Sequence, residues 1–391
     1  MRFSSLVDRI DAPGGAAWHI HHEARMAEAR GEDVILLSVG DPDFDTPAPI
    51  VESAIAALRS GDTHYTPIAG RQALRDAVAD LQHRRSGAPT TGANVMMVAG
   101  AQNGLFSTAL CLLDPGDEVL VMEPIYATYE ATMAASGARI VRVGASPDDG
   151  FRPDVAALAA AVTPRTRAIL LANPNNPTGI VMTEAEMAAV AEVARRHDLW
   201  VVADEVYESL VFAGTHRPFR ALPGMAERSV TIGSLSKSHA MTGWRIGWAV
   251  GPEALIDHMD RLGLNMLYGL PGFIQEAALT AVRLHDETAG AMRDAYAARV
   301  ALAARGLSGL PGIAMLRPDA GMFALVDVRG TGLSSTDFAW GLFRATGVSL
   351  VDAVAFGPAT AGFVRVALAA PEARLAEAFR RIAGYAGSLS A

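Results

Sequence analysis

Five short, mostly apolar runs lie in the middle of this chain. Each ends in a polar motif, and helix-patterned sequence follows. Val95-Met-Met-Val-Ala99 gives way to Gly100-Ala101-Gln102-Asn103, and Glu118-Val-Leu-Val-Met122 to Pro124-Ile125-Tyr126. Ala168-Ile-Leu-Leu-Ala172 leads to Asn173-Pro174-Asn175-Asn176-Pro177-Thr178-Gly179, and Leu199-Trp-Val-Val-Ala203 to Asp204-Glu205-Val206-Tyr207. Ser229-Val-Thr-Ile232 opens onto Gly233-Ser234-Leu235-Ser236-Lys237. Strands that are apolar throughout are covered on both faces, and strands alternating with helices build a parallel sheet. Ligands of such sheets bind beyond the carboxyl ends of the strands. All five polar motifs fall at those ends, so the pattern predicts one site drawn from segments far apart in sequence.

The flanks are read in the same way. Pro13-Gly14-Gly15 breaks the chain, residues 16–30 pattern as a helix ending near Gly31, and residues 34–39 as a short strand. Helices are predicted over 48–60 and about 71–85, with Tyr65 in the loop between them. Trp244–Val250 predicts another strand of the same sheet, and helices fill much of 253–308. After about residue 311 the texture changes to Pro311-Gly312, the apolar run Met322–Asp327, and then alternating helices and strands. The expected fold class is therefore α/β: a large, mostly parallel sheet flanked by helices, plus a smaller α+β unit.

Composition narrows the partners. The formal net charge is −9, which argues against nucleic acid. A single cysteine, Cys111, excludes an internal disulfide framework and suits a reducing compartment. Asp8, Arg9 and Asp11 interrupt any signal-peptide core, and no apolar run is long enough to span a bilayer. A cytoplasmic protein without a membrane partner is expected. Neither of two metal-like clusters qualifies. His19, His21 and His22 have no answering ligand pair. Asp41, Asp43, Asp45 and Glu52 imitate a calcium loop, but Thr46 stands where glycine is needed and prolines intrude.

Lys237 is the only lysine; the other 32 of the 33 basic side chains are arginines. Arginine substitutes for lysine where a surface needs charge, but not where a free amine is needed, because a guanidinium does not deprotonate. A deprotonated amine attacks carbonyls and forms a Schiff base. The neighbouring motifs suit a pyridoxal-type cofactor. Asp204 ends an apolar strand and needs a charged partner, such as a protonated pyridine nitrogen. Tyr207 and Asn176 offer donors to a ring oxygen, and Tyr126 an aromatic face. Gly100-Ala101-Gln102 supplies backbone N–H groups at a helix start for phosphate, with Ser234 and Arg245 beside them.

Asn176-Pro177-Thr178-Gly179, Asp204-Glu205-Val206-Tyr207 and Ser234-Leu235-Ser236-Lys237 followed by Arg245 resemble the class I/II aminotransferases, the fold-type I pyridoxal phosphate enzymes. The resemblance runs from Gly40 to Arg365. It implies an N-terminal arm (1–45) joining a small domain (286–391), with a large cofactor-binding domain (46–285) between. It implies Lys237 as the cofactor-bearing lysine and proton carrier, with pyridoxal 5'-phosphate held by Gly100, Ala101, Gln102, Tyr126, Asn176, Asp204, Tyr207, Ser234 and Arg245. It further implies a homodimer with shared sites, in which Tyr65 reaches the partner's phosphate. Arg365, with Gly40 and Trp18 nearby, would bind the substrate. The implied reaction carries an amino group from an L-amino acid to a 2-oxo acid by a ping-pong mechanism. Leu36–Val51, Ser234–Arg245 and Met266–Gln275 look most like bacterial arginine–pyruvate transaminases, so arginine or alanine as donor and pyruvate as acceptor are expected. Asp352, or a nearby acid, is a candidate partner for a substrate guanidinium.

Three other readings remain to be weighed. Ser234-x-x-Lys237 also fits serine acyl-transferases, but those need a second lysine in Lys-Thr-Gly. A nucleotide-binding module would need a Gly-Lys-Ser/Thr loop, which is absent. A pyridoxal-phosphate C–S β-lyase, or a non-catalytic regulatory relative, shares the motifs and is the alternative that sequence leaves open.

Overall fold

The computed structural model describes residues 1–11 and 18–389. At its centre lies a seven-stranded sheet in the order Val95–Val98, Gly247–Val250, Ser229–Ser234, Trp200–Asp204, Thr166–Ala172, Glu118–Met122, Arg139–Val143. All neighbours from Ser229–Ser234 to Arg139–Val143 are parallel, whereas Gly247–Val250 runs antiparallel to both its neighbours. That reversal follows from connectivity. No crossover helix separates Ser229–Ser234 from Gly247–Val250, and a parallel return requires one.

The apolar runs are continuous because successive side chains serve different layers. Val119, Val121, Leu170 and Val202 point to one face, against Leu105 and Ala109 of the helix Ala101–Leu112 and Met259 of Glu253–Met266. Leu120, Ile169, Leu171 and Val201 point to the other, against Met187, Val190 and Ala194 of Glu184–Arg196. That helix starts with a capping box, in which Thr183 and Glu186 satisfy each other's backbone N–H.

A second, four-stranded antiparallel sheet is ordered Val351–Asp352, Phe363–Ala367, Phe323–Asp327, Ala314–Leu316. Its core includes Phe323, Phe338, Phe379 and Tyr296, and it takes in Ile20, Ala24 and Leu37 from the N-terminal segment. The short strand Ile35–Leu36 pairs in parallel with Val348–Ser349. Residues 19–37 are thereby packed against the last hundred, which brings Val39 to Asp41 next to the central sheet's ligand edge.

Four local expectations are corrected. The helix read over 16–30 is His19–Ala29, with the Pro13-Gly14-Gly15 break and residues 16 and 17 outside the described residues. The strand read over 34–39 is only Ile35–Leu36, since the chain bends at Ser38 and Val39 to Asp41 line the cavity. Trp244 to Ile246 are not strand; Arg245 adopts φ 53°, which no strand residue does. The edge strand Arg139–Val143 escapes the apolar-run criterion because Arg139 and Arg142 interrupt it, as a strand with a solvent edge permits. No helix among the described residues is long and apolar enough to cross a membrane.

Candidate active site

A cavity of about 460 Å³ opens beyond the carboxyl ends of the central strands. Of the sequence-predicted site residues, Trp18, Gly40, Ala101, Gln102, Tyr126, Asn176, Asp204, Tyr207, Ser234, Lys237, Arg245 and Arg365 line it. Gly100 lies directly behind, at the start of the helix Ala101–Leu112.

Lys237 follows the strand Ser229–Ser234, and its Nζ donates to Gly40 O at 2.7 Å. Burial lowers the amine pKa to about 8; Asp41 opposes this, and Arg365 and Arg245 add to it. An amine so tuned carries its lone pair near neutral pH, which both nucleophilic attack and proton transfer require.

Asp204 is the last residue of Trp200–Asp204 and is buried. Burial pushes its carboxyl up to about 6, against the hydrogen bonds it receives and the charge of Lys237. Tyr129 Oη donates to Oδ2 at 2.6 Å, and Val206 N to Oδ1 at 3.3 Å. A buried carboxyl without an ion-pair partner is matched by a cationic N–H, which a protonated pyridine nitrogen supplies. Tyr207 packs edge-on against Phe323, with ring centres 5.2 Å apart, and Tyr126 packs edge-on against Tyr129 at 5.7 Å.

At the opposite end, the N-terminus of Ala101–Leu112 faces Ser234 and Arg245. Gly100, at φ 82°, turns the chain into this helix, and a Cβ there would sit 2.5 Å from Arg245 Nη2. Only glycine allows the guanidinium so close. Arg245 is held by Thr242 O at 2.8 Å and Ala99 O at 3.3 Å. Ser234 Oγ is oriented by Ile246 O at 3.0 Å and Ser236 Oγ at 2.9 Å. The Gln102 side chain is engaged with Thr128 and Thr132, so its backbone remains for a ligand. Helix N–H groups, a hydroxyl and a guanidinium together suit a dianionic phosphate.

Arg365 comes from the second sheet, strand Phe363–Ala367, and is 3% exposed. Its Nη1 donates to Asn176 Oδ1 at 3.1 Å and its Nη2 to Ser38 O at 3.2 Å. It lies over the Phe356 ring at 4.9 Å. Its Nε is buried and has no partner. A buried guanidinium with an unused donor is an anion site, and a carboxylate is the anion its fork matches. The donor set thus fits pyridoxal phosphate and an amino-acid carboxylate together.

Two expectations fall outside the cavity. Tyr65 is exposed and stacks at a tilt on Tyr268, 4.8 Å away, beside a separate surface groove. Asp352 does not line the cavity. Its carboxylate caps Val354 N at 3.1 Å and takes the Thr336 hydroxyl, so it is not available to a substrate guanidinium. Sequence reading assigned no role to Tyr129 or Thr242, and Asp41 and His21 entered it only as members of rejected metal-like clusters. Tyr129 stands one turn after Tyr126, a spacing that could have flagged it.

A family model described as aminotransferase class I and II matches residues 32–382. An arginine–pyruvate transaminase of Pseudomonas aeruginosa is 50% identical over 389 residues, covering 100% of this chain and 99% of its own. An aspartate/prephenate aminotransferase of Thermus thermophilus is 35% identical over 372 residues, covering 94% and 95%. Among solved structures, the aspartate aminotransferase from Thermus thermophilus with maleate superposes with a TM-score of 0.93 at 33% identity, covering 98% of this chain and 100% of that one. An aspartate aminotransferase from Thermotoga maritima gives 0.92 at 29% identity, covering 98% and 99%.

Proposed function

This chain belongs to the class I and II aminotransferases, pyridoxal-5'-phosphate-dependent transaminases of fold type I, and from that premise we propose that it moves the amino group of L-arginine to pyruvate. The observation that supports this donor and acceptor is the 50% identity, over the whole chain, to an arginine–pyruvate transaminase.

The cofactor, when bound, supplies the carbonyl that accepts the amino group and the electron sink that stabilises negative charge at the substrate Cα. The chain's own residues do the rest in this reading. Lys237 Nζ would hold the cofactor through its aldehyde carbon and would accept the proton from the substrate Cα. Its lowered pKa leaves it able to accept that proton. Asp204, steadied by Tyr129, would pair with the pyridine nitrogen. Asn176 and Tyr207 would donate to the ring oxygen, and Tyr126 would offer the ring an aromatic face. The N–H groups at Gly100 to Gln102, with Ser234 and Arg245, would hold the phosphate.

Arg365 takes the α-carboxylate, which every amino acid and 2-oxo acid shares. It therefore positions both half-reactions identically. Trp18 and Gly40 flank the substrate. The reading includes a cytoplasmic homodimer in which exposed Tyr65 reaches the partner's phosphate, with residues 1–45 and 286–391 acting as one small domain against 46–285.

The test is to add L-amino acids singly to the loaded enzyme and follow its visible absorbance. Conversion of the aldehyde-derived band to that of the amine form by arginine, reversed by pyruvate, supports the proposal. Conversion by other amino acids but not by arginine refutes the donor assignment.

A further inference from the structure

The loop Ser38–Asp41 carries a site contact at three of its four residues. Ser38 O accepts from Arg365, Gly40 O from Lys237 Nζ, and Asp41 Oδ1 from Thr242 Oγ1 at 2.7 Å. Three residue steps span at most about 10 Å. The loop therefore runs from the carboxylate clamp, past the lysine, to Asp41 within a span that a long amino-acid side chain can bridge.

Two groups on this wall have no task in holding the cofactor. Among the described residues, Asp41 and Asp204 are the only carboxylates lining the cavity. Asp204 faces Tyr129, and Asp43, two residues beyond Asp41, is locked to Arg299 at 2.6 and 2.9 Å. Among the described residues Asp41 accepts one hydroxyl and forms no ion pair, and it stands on the cavity wall near Lys237. The second group is His21. Its Nδ1 lies 2.9 Å from Ser38 Oγ, which in turn lies 3.1 Å from Ser349 Oγ. With Nδ1 donating to Ser38, Nε2 is an acceptor. Burial, aided by nearby Arg25, lowers the His21 pKa and favours this neutral ring. Trp18, one turn earlier on the same helix, stands edge-on to His21 at 6.4 Å and adds an indole to the same cavity.

A carboxylate, an imidazole acceptor and an indole face are together the complement of a planar cation rich in N–H donors. We propose that Asp41, with His21 and Trp18, forms the donor side-chain subsite and selects amino acids that end in a guanidinium, Asp41 supplying the countercharge. The proposal rests on the arginine-donor reading above and names the residues that carry it out. Aspartate-type donors would meet like charge at Asp41, so repulsion as well as attraction would act in the selection.

The experiment compares L-arginine with L-citrulline on the loaded enzyme. Citrulline replaces the guanidinium with a neutral urea of nearly the same shape. The quantity read is the ratio of the two kcat/KM values. It is insensitive to any general effect of Asp41 on Lys237, because both substrates share that step. Wild type should favour arginine strongly. Asp41→Asn should shrink the ratio at least tenfold, while Asp41→Glu, which keeps the charge, should retain most of it. Asp41→Ser removes the charge with a smaller side chain and gives a second reading should the asparagine variant load cofactor poorly. A wild-type preference that survives both charge-removing variants overturns the subsite and leaves the arginine donor standing. A wild type that uses both substrates equally well also overturns the subsite alone, whereas one that converts other amino acids but not arginine overturns both.

Discussion

Arg365 Nη1 donates to Asn176 Oδ1 at 3.1 Å, joining two residues 189 positions apart and two different sheets. Asn176 stands at the carboxyl end of a central strand and Arg365 on the smaller sheet, so the clamp is held across the seam between them. Lysine at position 365 has one nitrogen and cannot serve Asn176, Ser38 and a substrate carboxylate at once. Arg365→Lys should lower kcat/KM about 100-fold or more, the size expected from losing one partner of a buried charge pair. Asn176→Ala should raise KM more than it lowers kcat. Steady-state kinetics with one donor decides this, and an unchanged kcat/KM in Arg365→Lys would remove Arg365 from the site.

Tyr129 is the residue that orients Asp204. Tyr129→Phe removes the only side-chain donor to that carboxylate among the described residues, leaving Val206 N. A hydrogen bond to a charged group contributes about 1.5–3 kcal/mol. Cofactor affinity should therefore fall roughly tenfold to 100-fold, with the fold unchanged by circular dichroism. The dissociation constant from absorbance titration checks it; wild-type affinity would mean that Asp204 needs no orienting partner.

Because Lys237 is the only lysine, an amine-directed reagent reports on it with only the N-terminus as a competitor. Its amine pKa is lowered from 10.5 to about 8, so the reactive, deprotonated form appears at lower pH than for a solvated lysine. In the cofactor-free protein, labelling of the Lys237 peptide should reach half its maximal rate near pH 8. Peptide mass mapping separates it from the N-terminal amine. A midpoint above pH 10 would contradict the buried, cation-flanked setting.

Asp204 sets a stability cost that cofactor relieves. Its folded-state pKa of about 6 lies above the reference 3.8, so the folded protein holds this proton more tightly than the unfolded chain does. The resulting destabilisation is absent below about pH 4, grows as pH rises to 6 and is complete above it; two pKa units correspond to about 3 kcal/mol. Cofactor-free Asp204→Asn should therefore melt above wild type at pH 7.5, with the gap closing toward pH 4. Added cofactor should reverse the order, because only the carboxylate pairs with a pyridinium. Thermal melts at the two pH values, with and without cofactor, test this.

Much of the site was legible because its chemistry lies in short local motifs. A lone lysine after an apolar strand, the Asp204-Glu205-Val206-Tyr207 turn and the Asn-Pro segment each mark a strand end, and strand ends converge in a parallel sheet. The misses share another cause. The Arg139–Val143 strand exists only because Glu118–Met122 offers it a free edge. Trp244 and Arg245 would read as strand from their neighbours, but the guanidinium's place under Gly100 requires a turn. Asp352 looked available as a bare carboxylate in sequence; its capping of Val354 is visible only in the fold.

Local sequence was sufficient for the α/β class, the order of the central strands' motifs, the cofactor type and most of the residues around it, since those depend on periodicity and on side-chain chemistry carried along the chain. The folded arrangement decided which carboxylates stand on the cavity wall, that Tyr129 supports Asp204, and that Arg365 keeps an unpaired Nε for an anion. Those are contacts between segments distant in sequence. Whether a polar group is paired or open depends on neighbours that only tertiary packing brings within hydrogen-bonding distance.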